Sequence, residues 1–404
     1  MLQQIWEIKQ RRVRLQLIAK SLKGKELARE LIMVLAQHYN VQNNNLCAAM
    51  SDRASVNGAT MRTVKVVFPK VVDVCCFSHT VDCVGNHFNI PILKRFLQLW
   101  SSLFGHSPAT RLAWRERTGI SMKSYSPTRW WSWWEVAQQI MLQFAEILPS
   151  VQQRLQEAGS KAATLKQIEA MFNDVQSNCF LLVELAAVVD AGKPMVESTY
   201  FLEGDGALAR NSYQLLIFMQ NSDNVVNLPN LTAVSWHISG GKPVVAQQCY
   251  QYGVAAVQSG WDYFPQTVMG TLNGQVEIFK VVRLFSPHQT YYLRPVANDI
   301  DAIAAISFLN NAAVTRDLKN EPPEDLVKAD GIAPDVDPVG WWKNNADELP
   351  FWSAAAAKLS LLLQPSSASS ERAFSILTTR FGHLQNLMLQ DYTECSLMLQ
   401  YNKG

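Results

Sequence analysis

The chain has 404 residues, 48% hydrophobic and 17% charged, with a mean hydropathy of -0.04, which is the composition of a globular protein too long for one simple core. Lys+Arg 36 against Asp+Glu 34 leaves a formal +2, so net charge gives no argument for nucleic acid and any such contact must come from a local patch. Seven cysteines with no CxxC spacing exclude a small disulfide scaffold, and no apolar run approaches the ~18 residues of a membrane span, so the expectation is a soluble intracellular protein with reduced thiols.

In chain order, Trp6 to Leu17 mostly alternate apolar and polar residues, which predicts one strand or a short hairpin. Lys25 to His38 places Leu27, Leu31, Val34 and Leu35 on one helical face, Asn43 to Asn45 reads as a loop, and Leu46 to Met50 as a short buried strand. Asn57 to Val67 predicts a helix stopped by Pro69, and Val71 to Cys76 a second buried strand. Strands alternating with helices in this way predict an α/β sheet with right-handed crossovers. Beyond residue 88 the pattern changes to long amphipathic stretches, Ile92 to Phe104, Trp133 to Leu148 and Leu165 to Val189, so the middle reads as mostly helical. An acidic, proline-bearing segment, Glu321 to Pro338, reads as a linker. After it come Trp341 and Trp342, a helix from Phe351 to Leu363, the stretch PSSASSERAFSIL (Pro365 to Leu377), and a last helix through Leu397, Met398 and Leu399. The divisions expected are 1–88, 89–320, 321–338 and 339–404.

Four constellations carry candidate chemistry. Asp52 stands just past a buried strand, where α/β sheets place ligand-binding groups, whereas Asp73 lies inside the next strand and reads as a neutralised or partnered core acid. Glu371 opens an apolar helix whose stripe continues through Phe374, Leu377, Phe381 and Leu384. The capping-box register misses it, because Ala368 stands three residues before it and Ala373 three after Ser370. Two readings of Glu371 stand: a first-turn carboxylate favoured by the helix dipole, or a poorly hydrated acid with a partner or metal. Cys76, His79, Cys83 and His87 cannot share one zinc ion if helical, since eleven steps span ~16 Å and zinc ligands lie within ~2.3 Å of the metal; Cys76 and His79 remain a local pair or a packed corner. In SYSPTRWWSWWEV (Ser124 to Val136), Arg129 adjoins Trp130 and Trp131, with Trp133 and Trp134 behind and Lys94, Arg95, Arg111, Arg115, Arg117 and Lys123 around it, opposed mainly by Glu116. That cluster offers either a basic aromatic platform for unstacked bases or indoles buried as helix core.

SDRASVN (51–57), CFSH (76–79), TRWWS (128–132), GWWKNNADELPFW (340–352), PSSASSERAFS (365–375) and LMLQYN (397–402) occur in an order that resembles the transposases of the hAT superfamily and the host proteins derived from them. The resemblance implies an α/β fold with a partial RNase H-like mixed sheet, interrupted by a large, mostly helical insertion and completed by a C-terminal dimerisation region. It implies Asp52 and Glu371 as catalytic metal ligands for Mg²⁺ or Mn²⁺, separated by 371 − 52 = 319 residues. It further implies Cys76 and His79 as a structural motif without zinc, and Arg129 with Trp130 and Trp131 as residues that handle DNA. The family's first aspartate and its N-terminal zinc-finger module have no counterpart before Asp52, which reads as N-terminal truncation. The expectation is a nuclear, DNA-binding homo-oligomer without cleavage activity as the chain stands. The alternatives are a non-catalytic, domesticated interaction module and an active metal-dependent transposase missing an N-terminal exon.

Overall fold

The structure, a computed structural model, describes residues 22–41, 46–52, 54–105, 107–123, 131–157, 162–204, 208–221, 228–289, 297–306, 309, 312–321, 332 and 336–367. Two compact units divide the chain: Met1–Thr80, Tyr200–Ile217 and Val268–Gly404 form one, and Val81–Thr199 with Phe218–Thr267 the other.

In the first unit, α1 (Gly24–Tyr39) begins where Glu26 Oε2 accepts from the Lys23 backbone N–H at 2.9 Å and ends at Asn40, whose φ of 50° suits an asparagine. Strand β1 (Ala48–Ser51), α2 (Ser55–Val67) and β2 (Val72–Cys75) follow. The two strands pair in parallel, Ala48 opposite Val72 and Ser51 opposite Cys75. Ala28, Met61, Val64, Phe68 and Val71 make the local core, against which Leu31, Leu35, Leu46 and Ala49 pack. Gly24 permits the close approach of α1 to α2, because a Cβ there would stand 2.5 Å from the Ala59 Cβ and 2.9 Å from the Val56 carbonyl. The strand–helix–strand order read between residues 46 and 76 is therefore present, with boundaries moved by a residue or two.

The sheet expectation is met in part. Among the described residues the sheet has two strands only, so the fold is mostly helical and the larger mixed sheet is not seen. The strand expected between Trp6 and Leu17 lies outside the described residues, as does the loop at Asn43 to Asn45. After β2 every described regular element is helical.

Helices α3 (Phe77–Asn86), α4 (Pro91–Gly105), α5 (Pro108–Thr118), α6 (Ser132–Leu142), α7 (Phe144–Gln156), α8 (Ala162–Asn173) and α9 (Val175–Leu202) come first. Then follow α10 (Ala209–Asn221), α11 (Pro229–Ile238) and α12 (Pro243–Phe264), which runs into a wider π-helical stretch at Pro265–Thr271. The series closes with α13 (Asn273–Val282), α14 (Ala297–Ala305), α15 (Ala312–Lys319), α16 (Pro338–Asn344) and α17 (Pro350–Leu362). Two of the long amphipathic stretches are each divided between two helices, at Gln143 and at Asp174. The second break has a clear cause: the Asp174 carboxylate accepts from the Ser177 N–H at 2.9 Å and starts a new helix.

The C-terminal part of the first unit is built on stacked aromatics. Trp342 and Trp352 are fully buried and nearly parallel, 6.3 Å apart at 11°, with Phe285 beside both. Each indole N–H is satisfied by backbone, Trp342 by the Phe285 carbonyl at 2.8 Å and Trp352 by the Leu318 carbonyl at 3.1 Å. The Ser353 hydroxyl donates to the Trp342 carbonyl at 2.9 Å and ties α17 to α16. Within the segment read as a linker, Glu321, Ile332 and Asp337 each accept a hydrogen bond from another part of the unit or from the start of α16.

Candidate functional site

Asp52 follows β1 directly, as the sequence places it. Its Oδ1 accepts from the Ala54 N–H at 2.8 Å and from Asn57 Nδ2 at 2.6 Å, so the carboxylate also fixes the turn into α2. Neither bond uses Oδ2. Asp73, read as a partnered acid, faces Lys65 at 3.6 Å.

The C-terminal ends of the strands gather three stretches of sequence. The Cys76 N–H donates to the Ser51 carbonyl at 2.9 Å, and the Phe77 N–H donates to the Pro365 carbonyl at 2.9 Å. Cys76 is fully buried, and its Sγ accepts from the Ser367 N–H at 3.3 Å, the Ser367 hydroxyl at 3.2 Å and the His79 N–H at 3.5 Å. The stretch PSS that opens PSSASSERAFSIL is thereby bonded to the residues that follow β2, across a separation of 291 residues. Cys76 and His79 form a packed strand-to-helix corner, one of the two readings left open by their spacing. Glu371 itself lies outside the described residues. Among the described residues no three His, Cys, Asp or Glu side chains are grouped as metal ligands would be.

Trp131 requires a correction. Its indole is fully buried, with Trp133 stacked on it at 5.5 Å and 29°, so it offers no free face to a base. Its backbone stands at φ 53°, its N–H donates to Asp82 Oδ1 at 3.3 Å, and its carbonyl accepts from the N–H groups of Trp134 and Glu135 to start α6. Gly85 makes room for the pair: a Cβ there would lie 2.8 Å from Trp133 and 3.0 Å from Trp131. Trp134 is buried as well, its Nε1 donating to the Val188 carbonyl at 3.1 Å. Arg129 and Trp130 lie outside the described residues. The basic patch is thinner than its composition implies, since Arg117 pairs with Glu146 at 2.7 Å and Lys123 with Glu135 at 3.3 Å. Arg111 and Arg115 on α5 remain exposed.

The acids that burial perturbs are not those singled out from sequence. Glu184 on α9 is fully buried; its Oε2 accepts from the Leu93 N–H at 2.8 Å and its Oε1 from the Tyr252 hydroxyl at 2.7 Å. Asp190, also on α9, accepts from the Leu231 N–H at 3.0 Å and from Asn230 Nδ2 at 2.5 Å. Glu321 accepts from the Phe351 N–H at 2.9 Å and the Trp352 N–H at 3.3 Å. Burial raises the pKa of all three above the ordinary carboxylate range, against hydrogen bonds that lower it. Perturbed carboxylates mark functional sites often enough to be checked first. Here each one satisfies the first-turn N–H groups of a helix distant in sequence, a structural task.

No helix among the described residues is long and apolar enough to cross a membrane. A comparison of the chain with curated proteins gave no match. Residues 316–402, which begin within α15 and take in α16, α17 and the Pro365–Ser367 stretch docked on Cys76, match the family model described as the hAT family C-terminal dimerisation region.

Proposed function

We propose that the chain is a hAT-transposase-derived protein that self-associates through its C-terminal region and binds DNA, and that residues 1–404 by themselves do not cleave it. The observation that carries this reading is the match over residues 316–402, joined to the docking of Pro365 and Ser367 onto the residues that follow β2. Asp52 follows Ser51, whose carbonyl accepts from Cys76, and Cys76 holds Ser367. Glu371 stands four positions after Ser367, at most ~14 Å of extended chain. That proximity supports Asp52 and Glu371 as inherited members of one acidic site in an RNase H-like core.

The donor chemistry fits Mg²⁺ or Mn²⁺, which prefer hard oxygen ligands, and Asp52 keeps an oxygen outside its turn-forming bonds. Asp52 and Glu371 would hold the ion, which supplies Lewis-acid activation of a phosphodiester when bound. The acids before Asp52 within residues 1–404 are Glu7, Glu26 and Glu30, with no aspartate among them, so this reading assigns no cleavage to these residues by themselves. Incubation of the purified chain with labelled duplex and Mg²⁺ or Mn²⁺ tests this: uncut DNA is expected, and nicking that disappears in Glu371→Ala overturns it.

A second reading, a non-catalytic module that binds protein partners, is favoured by one finding. Trp131 is core, and two of the surrounding cations are already paired. Arg129→Ala separates the two readings, since it weakens DNA binding under the first and leaves it unchanged under the second.

A further inference from the structure

Helices α11 and α12 form a hairpin within one unit. They pack closely where Leu231 meets Gly253, since a Cβ on that glycine would stand 2.5 Å from the leucine side chain. The turn between them runs through Gly240 and Gly241, both at positive φ, and the Gly241 N–H donates to the Trp236 carbonyl at 3.2 Å. Thr232, Ser235 and Trp236 share one face of α11, and Pro243, Gln247 and Tyr250 one face of α12. These two faces line a groove of about 450 Å³, within the size range of small-ligand sites. Tyr252, two residues beyond Tyr250, turns the other way, to Glu184 on α9.

Three features of the groove bear on what it holds. Trp236 is 54% exposed, although a Cβ at Gly241 would lie 3.8 Å from its ring; the turn braces one part of the indole and solvent covers the rest. Ser235 is buried and its hydroxyl has no hydrogen-bond partner among the described residues, whereas the Thr232 and Ser239 hydroxyls donate to the Leu228 and Trp236 carbonyls. A buried polar group without a partner calls for one. The sequence from 224 to 261 holds no Asp or Glu, and Lys242 is its one Lys or Arg. Lys242 precedes Pro243 at the start of α12, where no side chain caps the helix, so an ammonium and the positive end of the helix dipole favour an anion there.

We infer that this groove seats one nucleotide of single-stranded DNA, an inference that rests on the DNA-binding reading above. The base stacks on Trp236 beside Tyr250, and its edge meets the Gln247 amide and, by rotation about χ1, the Ser235 hydroxyl. The phosphate lies at the start of α12 beside Lys242. An indole face accepts any base, so the site selects unpaired bases without reading sequence. A duplex, whose bases are stacked on one another, does not enter it.

Fluorescence anisotropy of the full chain with a labelled oligothymidylate and with a labelled duplex tests this, with Trp236→Ala, Ser235→Ala and Lys242→Ala alongside. Trp236→Ala is expected to weaken single-strand binding about tenfold or more and to leave the duplex affinity unchanged. Ser235→Ala is expected to weaken the single strand without lowering the melting temperature, because it removes a hydroxyl that bonds nothing in the free chain. Lys242→Ala should reduce the slope of log affinity against log salt for the single strand by ~0.7. Equal single-strand affinity of the unmodified chain and Trp236→Ala overturns the inference, and duplex binding that persists beside it leaves the broader DNA-binding reading standing. A chain that binds neither strand nor duplex overturns both. Thymidine monophosphate that displaces the oligonucleotide at equal concentration would make the ligand a free nucleotide, and a changed self-associated mass of Trp236→Ala with unaltered strand binding would make it a second copy; either result overturns the inference.

Discussion

The backbone N–H of Leu93 donates to Glu184 Oε2 at 2.8 Å, across 91 residues of sequence. The same relationship recurs where the Leu231 N–H meets Asp190 and where the Phe351 and Trp352 N–H groups meet Glu321. All three helices open on an apolar residue followed by proline: Ile90–Pro91, Leu228–Pro229 and Leu349–Pro350. Proline suits the first helical position because it has no N–H to leave unbonded, but an apolar residue before it cannot cap. The carboxylate therefore comes from elsewhere in the chain. Helix α16 is the contrast, since Asp337 precedes Pro338 and caps its own helix at Val339 and Gly340.

Removing a long-range cap orphans a buried first-turn donor. Glu184→Ala should lower stability by about 1–3 kcal/mol, with Glu184→Gln losing less because its amide oxygen still accepts from Leu93. Chemical denaturation of both variants checks the order; equal losses would mean that a neutral amide recovers none of the contact.

The three caps also set a pH dependence. Their pKa values are raised in the folded state, so between the ordinary carboxylate range and the raised values the folded chain holds more protons than the unfolded one. Stability from these groups is full below the unfolded pKa and is lost as pH rises through the folded one. Melting curves from pH 4.5 upward should show a smaller loss for Glu184→Gln than for the unmodified chain. A steeper loss in the variant would contradict the sign.

The tryptophan layer rests on two glycines. A Cβ at Gly192 would meet the Trp134 ring at 2.5 Å, and one at Gly85 would meet Trp133 at 2.8 Å. Gly192→Ala and Gly85→Ala should each cost about 1–3 kcal/mol through overpacking, read as a lowered melting midpoint. Unchanged midpoints would show that the indoles are free to shift. Trp131→Ala, for the same reason, is a core deletion and is unsuitable as a test of DNA contact.

How much the sequence shows depends on distance along the chain. The β1–α2–β2 run is legible because its signals are local: Pro69 stops a helix, short apolar runs make buried strands, and Asp52 sits at a strand end. Helix α4 is legible from its apolar stripe. The breaks at Gln143 and Asp174 are not, because apolar periodicity continues through a break in backbone hydrogen bonding. Glu184, Asp190 and Glu321 look like ordinary helix or linker acids until the helices they cap are placed beside them. Trp131 reads from sequence as platform or core, and the space left by Gly85 shows it as core. The bond between Ser367 and Cys76, 291 residues apart, carries no sequence signal of its own beyond the resemblance of the two motifs.

Under the proposed function, DNA binding should depend on the exposed cations of α5. Arg111 and Arg115 have no ion pair among the described residues, unlike Arg117. Arg111→Ala with Arg115→Ala should weaken binding of mixed-sequence duplex in low salt and reduce the slope of log affinity against log salt by ~0.9 for each phosphate that is no longer neutralised. A variant that binds like the unmodified chain would remove α5 from the interface.

Self-association through residues 316–402 is the most direct test of the whole proposal. Light scattering of the purified chain after size exclusion, across a range of concentrations, is expected to give twice the 45.4 kDa chain mass. A mass of a single chain at every concentration would contradict it.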